Sequence, residues 1–231
     1  RFYNSTTNVS SSDINTFNNT VGGQTLAITG SGSVSTAVAG SGKTISLGTL
    51  TLTNGSGLAS NYSLSGGTFD INSRQVNIAG SRIYDGTTSA NGSDLIVTTG
   101  VGSEILTVTG TGSISNANVG NNKAVTTGTL ALSSGSGNAS NYQIGTITLS
   151  VTERPVNIDL EKIYDATTNA AGSDLKANGI TNTVLGHSLT LNGTGTMAST
   201  GVGVDKSVTI GTLSLSGAQA SNYTLTGGNH T

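Results

Sequence analysis

The sequence predicts an all-β protein built from tandem modules, and three observations carry that prediction. Apolar residues alternate with hydroxyl residues over short stretches, as Leu106 and Val108 do against Thr107 and Thr109, which is the period of a half-buried strand. Turn residues separate these stretches: glycine supplies 34 of the 231 residues and proline one, with Gly-Ser and Gly-Thr clusters between strands. One phrase is also written three times, as "RFYNSTTNVSSSD" from Arg1, "RIYDGTTSANGSD" from Arg82 and "KIYDATTNAAGSD" from Lys162. No amphipathic helical pattern runs beyond about two turns.

Each repeat reads the same way in order. The opening phrase sets a tyrosine, Tyr3, Tyr84 or Tyr164, and ten residues later an acid in Ser-Asp-Ile/Leu, Asp13, Asp94 or Asp174. In that setting the acid offers the backbone an acceptor and caps a turn. A strand follows in "GQTLAITGSGS", "GSEILTVTGTGS" and "GHSLTLNGTGT". Lys43, Lys123 and Lys206 then stand five residues before Gly-Thr-Leu at Gly48, Gly128 and Gly211. These glycines interrupt an alternating run, such as Ile45 and Leu47 then Leu50 and Leu52, where a bulge or bend is expected. Each repeat closes on Ser-Asn-Tyr, ending at Tyr62, Tyr142 and Tyr223, so all six tyrosines fall in two motifs. Large rings carry much of the buried area of a small core, and the six are expected to anchor it.

The repeats divide the chain into 1–73, 74–153 and 154–231, the third lacking its final strand. Near eighty residues, a repeat is long enough to enclose its own core, unlike the shorter units of a solenoid. A small antiparallel sandwich is expected for each, with a grasp-like sheet as the alternative. The connectors "INSRQVNIAGS" and "SVTERPVNIDLE" alternate through Val76 and Ile78, and through Val156 and Ile158. Each linker is therefore expected to be a strand entering the next module, a stiff joint that would hold the modules in an extended rod.

Composition narrows the function. Charged residues are 9% of the chain, the formal net charge is -2, and nine basic residues are scattered along it. That offers no electrostatic footprint for nucleic acid or an anionic membrane. No apolar run approaches the roughly 20 residues of a spanning helix, and Arg1 opens no signal-peptide pattern, so the chain reads as an interior piece of something longer. Cysteine is absent; with so much Ser, Thr, Gly and Asn, this suggests an exported protein built without disulfides.

Candidate chemistry is sparse. A nucleophilic triad needs a base, and the two histidines, His187 and His230, both lie in the third repeat, so it would belong to one module alone. The only acid present in all three repeats is the turn-capping aspartate, which leaves no paired carboxylates for glycoside chemistry. A calcium site would draw on Asp85 and Asp94, without the loop patterns calcium proteins use; two histidines and no cysteine do not complete a usual zinc shell. The recurring Lys43, Lys123 and Lys206 raise the idea of a Lys-to-Asn amide crosslink, against solvated strand-end lysines that discourage edge pairing. Asn-X-Ser/Thr sequons occur about as often as this composition gives by chance. Neither cofactor nor enzymatic activity is expected.

The Tyr84-Asp85-Gly86-Thr87-Thr88 phrase, the Gly-Thr-Leu strand, the Ser-Asn-Tyr close and the "RPVNI" bridge resemble the YDG-type repeats of large bacterial surface adhesins, the filamentous-haemagglutinin-like exoproteins of two-partner secretion. The resemblance covers essentially the whole chain. The motif departs in the first repeat, at Asn4-Ser5, and in the third, at Asp165-Ala166; such tolerance marks a turn and not a reactive centre. The resemblance implies an extracellular stalk or adhesive segment at a bacterial cell surface or in a secreted protein, acting in cell adhesion and biofilm. It implies a monomeric rod, with a host-cell or matrix receptor, a glycan among the candidates, as partner. A receptor- or glycan-binding module is the second reading. It would show an exposed aromatic patch or groove, whereas a spacer would bury its tyrosines.

Overall fold

The computed structural model describes residues 1–230, with side chains to residue 226. Among the described residues every regular element is a strand or a single 3-10 turn, so the chain is all-β as the alternation predicts. The out-of-phase Ile105 is 63% exposed while Leu106 and Val108 are buried, so the period-two pattern assigns the faces of that strand.

The second and third repeats share one plan. In the third, a six-stranded sheet runs in the order Asn169–Ala171, Thr194–Met197, Lys206–Thr209, Tyr223–His230, Arg154–Leu160, Leu175–Thr181. In the second, the order is Ser89–Asn91, Thr111–Ile114, Gly120–Thr126, Tyr142–Thr152, Arg74–Ile83, Leu95–Val97. Each repeat adds a separate antiparallel two-stranded ribbon: Leu26–Thr29 with Thr51–Asn54, Leu106–Thr109 with Ala131–Ser134, and Thr190–Asn192 with Ser214–Ser216. In the third repeat Leu191 and Leu213 join Ile158, Leu160, Ala170, Met197 and Val208 in one core cluster, a sandwich-like packing of ribbon on sheet.

Three expectations are corrected here. The third repeat does not lack its final strand: Tyr223–His230 closes it. The modules are not purely antiparallel, because this closing strand runs parallel to the opening strand, from Arg154 beside Tyr223 to Leu160 beside His230. A parallel neighbour needs a long crossover, and the intervening body of the repeat provides it. The repeats do not each enclose a private core either. Tyr3, Val9, Val34, Phe69, Ile71 and Val76 share a cluster with Val101, Leu106 and Tyr142 of the second repeat.

The chain divides into two compact units, and the division does not follow the repeats. One holds Arg1–Ile78, Val97–Thr109 and Ala131–Thr146; the other holds Ala79–Ile96, Gly110–Leu130 and Ile147–Thr231.

The interrupting glycines have a clear cause. Gly48, Gly128 and Gly211 all sit at φ of +55 to +57, and a Cβ on any of them would fall 2.5 to 2.7 Å from the carbonyl oxygen of Ser31, Thr111 or Thr194. Only glycine meets both demands.

Candidate functional site

The repeated motifs resolve into three local devices. In the opening phrase, the residue after tyrosine is bonded to the first threonine, two residues beyond it. Asp85 Oδ1 accepts from both the backbone N–H and the hydroxyl of Thr87, each at 2.9 Å. Asp165 does the same with Thr167, again at 2.9 Å, and Asn4 with Thr6 at 3.2 and 3.0 Å. Asp and Asn are interchangeable there because only one acceptor oxygen is used. The next residue is left-handed in every copy, Ser5 at φ 63, Gly86 at 77 and Ala166 at 63. The leading basic residue ion-pairs within its own phrase, Arg82 with Asp85 and Lys162 with Asp165, while Arg1 reaches Asp13.

The second device is the capped turn. Asp13, Asp94 and Asp174 accept the backbone N–H of Ser10, Asn91 and Ala171, three residues earlier, at 3.0, 3.3 and 2.9 Å. The third concerns the lysines. Lys43, Lys123 and Lys206 each bend back to a loop residue seven positions earlier, Thr36, Asn116 and Ser199. The structure puts them to work as loop clasps.

The tyrosines form the densest constellation. Tyr3 and Tyr142 meet edge to face at 5.4 Å, and both hydroxyls donate to one carboxylate, Glu104, at 2.6 and 2.7 Å. Tyr84 and Tyr223 meet in the same way at 5.5 Å, with His187 5.8 Å from the Tyr84 ring. Tyr223 Oη lies 2.7 Å from His187 Nδ1 and accepts the N–H of Val184. In the first repeat Tyr62 donates to Gln24 Oε1 at 2.7 Å and accepts the N–H of Val21. Gln24, Glu104 and His187 are therefore one position, from which three different side chains each hydrogen-bond the closing tyrosine's hydroxyl.

The pairing is staggered. The opening tyrosine of one repeat packs on the closing tyrosine of the next, Tyr3 with Tyr142 and Tyr84 with Tyr223. The asparagine before each closing tyrosine completes the contact: Asn141 Oδ1 accepts the N–H of Ala39 at 2.9 Å, and Asn222 Oδ1 that of Val119 at 2.8 Å. Both asparagines are almost fully buried. Tyr3, Tyr84, Tyr142 and Tyr223 are buried, Tyr62 is half-buried, and Tyr164 is 60% exposed. Tyr164 thus departs from the expected core role, because no closing tyrosine covers it.

Electrostatics follow from this packing. Burial raises the Tyr142 hydroxyl well above the ordinary phenol range, and the hydrogen bond and negative charge of Glu104 raise it further. Burial and Glu104 raise Tyr3 in the same order. Tyr84 is raised by burial first, then by Tyr223 and Asp85. A phenol that already donates to a carboxylate resists losing its proton.

The sequence pointed to His187 only as one of two histidines and not at all to Glu104 and Gln24, because the residue type changes from repeat to repeat. The signal was their shared place, six residues before the glycine that ends the following strand, Gly30, Gly110 or Gly193. Of the chemistry weighed from sequence, Asp85 and Asp94 are committed to different turns, and among the described residues no three His, Cys, Asp or Glu side chains gather as a metal site. Among the described residues no helix is long and apolar enough to cross a membrane.

These features define an all-β tandem-repeat protein whose successive repeats interlock through tyrosine pairs. The chain belongs to the YDG domain family, which matches residues 71–149 and 151–230, more than half of its length. That description names no adhesin, and it is shared with the SRA-type DNA-binding domain of eukaryotic proteins. The narrower resemblance to repeats of bacterial surface adhesins is corrected accordingly: what stands is the YDG domain alone. No curated protein and no solved structure matches the chain.

Proposed function

We propose that this chain is a structural segment, a run of interlocked β repeats that holds other parts of a larger protein apart, and that it works outside the bacterial cytoplasm. One observation carries the reading. Four of the six recurring tyrosines, Tyr3, Tyr84, Tyr142 and Tyr223, are buried in the contact between successive repeats. A surface used to bind glycans or receptors keeps such rings accessible. The lack of cysteine and the low charge support a place outside the cytoplasm.

A nucleic-acid role, suggested by the shared domain name, finds little support in these residues. Arg1, Arg82, Lys162 and Lys176 are ion-paired with Asp13, Asp85, Asp165 and Asp159. Lys43, Lys123 and Lys206 turn onto their own loops. Phosphate binding needs basic groups free to face the backbone.

The spacer reading expects an extended rod. A single globule of this length would have a radius of gyration of about 17 Å, and three modules in line about 28 Å, by chain-length scaling. Small-angle scattering near 28 Å, with no binding to a glycan array or a DNA duplex, is the expected result. A value near 17 Å would remove the spacer reading. Saturable binding to glycan or duplex would replace it with a recognition module.

A further inference from the structure

We infer that Asn178 is a modification site, where the folded chain converts its own asparagine to aspartate or isoaspartate by attack of the next backbone nitrogen. The chain holds four Asn-Gly pairs, at Asn54, Asn91, Asn178 and Asn192. Glycine has no Cβ to obstruct that attack, so each pair is reactive in an unfolded chain. The fold separates the four.

Three are restrained. Asn54 Oδ1 accepts the N–H of Ala59 at 2.8 Å, and the Gly55 N–H donates to the Gly57 carbonyl. The Gly92 N–H, the attacking group after Asn91, donates to the Gly110 carbonyl at 2.9 Å. Asn192 Nδ2 donates to Ser216 Oγ at 2.7 Å. Asn178 is exposed, and among the described residues its side chain makes no hydrogen bond.

An insertion places it there. His187 lies three residues further from Asp174 than Glu104 lies from Asp94. The extra residues leave the ladder: Leu160 pairs with Leu175 and Ile158 with Ile180, so residues 176–179 stand opposite Asp159 alone. Asn178 takes a left-handed φ of 61, which asparagine adopts more readily than most residues. A Cβ on Gly179 would fall 2.5 Å from the Asp159 carbonyl oxygen and 2.9 Å from that of Lys176, so glycine must follow. The turn itself demands the reactive pair. The insertion and its partner strand, Arg154–Leu160, are both internal to the repeat.

The chemistry needs only water. The Gly179 nitrogen gives up its proton and bonds to Asn178 Cγ; the bond from Cγ to Nδ2 breaks, and ammonia leaves with a proton gained in exchange. Water then opens the cyclic imide at either carbonyl, giving aspartate or, with the backbone rerouted through the side chain, isoaspartate. The new carboxylate stands two residues from Lys176, which pairs with Asp159 at 3.3 Å. The site is independent of the proposed structural role.

The test is to incubate the full chain in mildly alkaline buffer, with and without urea, and map its peptides by mass spectrometry, counting isoaspartate by enzymatic methylation. In the folded chain Asn178 should convert about tenfold faster than Asn54, Asn91 or Asn192, since each of those must first break a hydrogen bond of ordinary worth. In urea the four rates should converge. Asn178→Asp suits the same left-handed backbone and should abolish the fast release of ammonia. The inference falls if folded Asn178 reacts no faster than the other three, if its lead persists undiminished in urea, or if Asn178→Asp releases ammonia as fast as the unaltered chain.

Discussion

The Tyr3–Glu104–Tyr142 and Tyr84–His187–Tyr223 clusters are the same joint built with different central chemistry. In one, a carboxylate receives two phenols, at 2.6 and 2.7 Å. In the other, an imidazole nitrogen meets one phenol at 2.7 Å, and the second phenol turns to Gln219 at 3.3 Å. The ring geometry hardly differs, 75° and 81° between planes. The joint is therefore specified by ring shape and by a hydrogen-bond partner for the closing hydroxyl, and the identity of that partner is secondary. Gln24 in the first repeat makes the same point with a neutral amide.

The largest effect should come from removing a ring. Tyr142→Ala or Tyr84→Ala should cost about 3 to 5 kcal/mol, as aromatic truncations in cores do, and Tyr164→Ala close to nothing, all read from urea melts. Equal costs at Tyr164 and Tyr84 would break the comparison. Next comes the acceptor: Glu104→Leu takes the shared carboxylate away from two buried phenols and should cost roughly 2 to 4 kcal/mol, whereas Glu104→Gln, the residue natural to the first repeat, should cost less than about 1 kcal/mol. A Gln variant as damaged as the Leu variant would show that the charge itself is required.

Alkali separates the clusters more finely. Folding raises the hydroxyls of Tyr3, Tyr84 and Tyr142, so the folded chain holds those protons more tightly than the unfolded one. Their contribution to stability is complete below the ordinary tyrosine pKa of about 10 and is lost as pH climbs from there toward the raised values. Phenolate absorbance should lag behind that of the unfolded chain. Glu104→Gln should reduce the lag, since it removes the negative charge beside Tyr3 and Tyr142, and His187→Gln should leave it unchanged. The smallest effect is at the turns: Asp94→Ala should cost about 1 kcal/mol, the usual worth of a cap. No change in the melt would mean that the turn holds without its acceptor.

The fold class was legible because period-two alternation is a local signal, and Leu106 and Val108 carry it plainly. Strand direction was not, since alternation reads the same either way; the parallel pairing of Arg154–Leu160 with Tyr223–His230 is set by partners far apart in sequence. Partnership between copies was hidden too. Three evenly spaced pairs of tyrosines look identical whether each opening ring meets its own closing ring or the next one, and only exposure at Tyr164 against burial at Tyr84 distinguishes them. The turn role of Asp13, Asp94 and Asp174 could be read from a single motif, because it spans three residues.

The stagger also imposes an order in time. Tyr3 finds Glu104 across 101 residues of chain, and Tyr84 finds Gln219 across 135. A polypeptide emerging from its N-terminus cannot finish the first joint until Tyr142 is out, so completed structure trails synthesis by most of a repeat. Contacts of such separation form slowly, and throughout that delay the Tyr3 ring waits without its partner. A chain that completes each joint one repeat behind its own growth stays pliable for that interval.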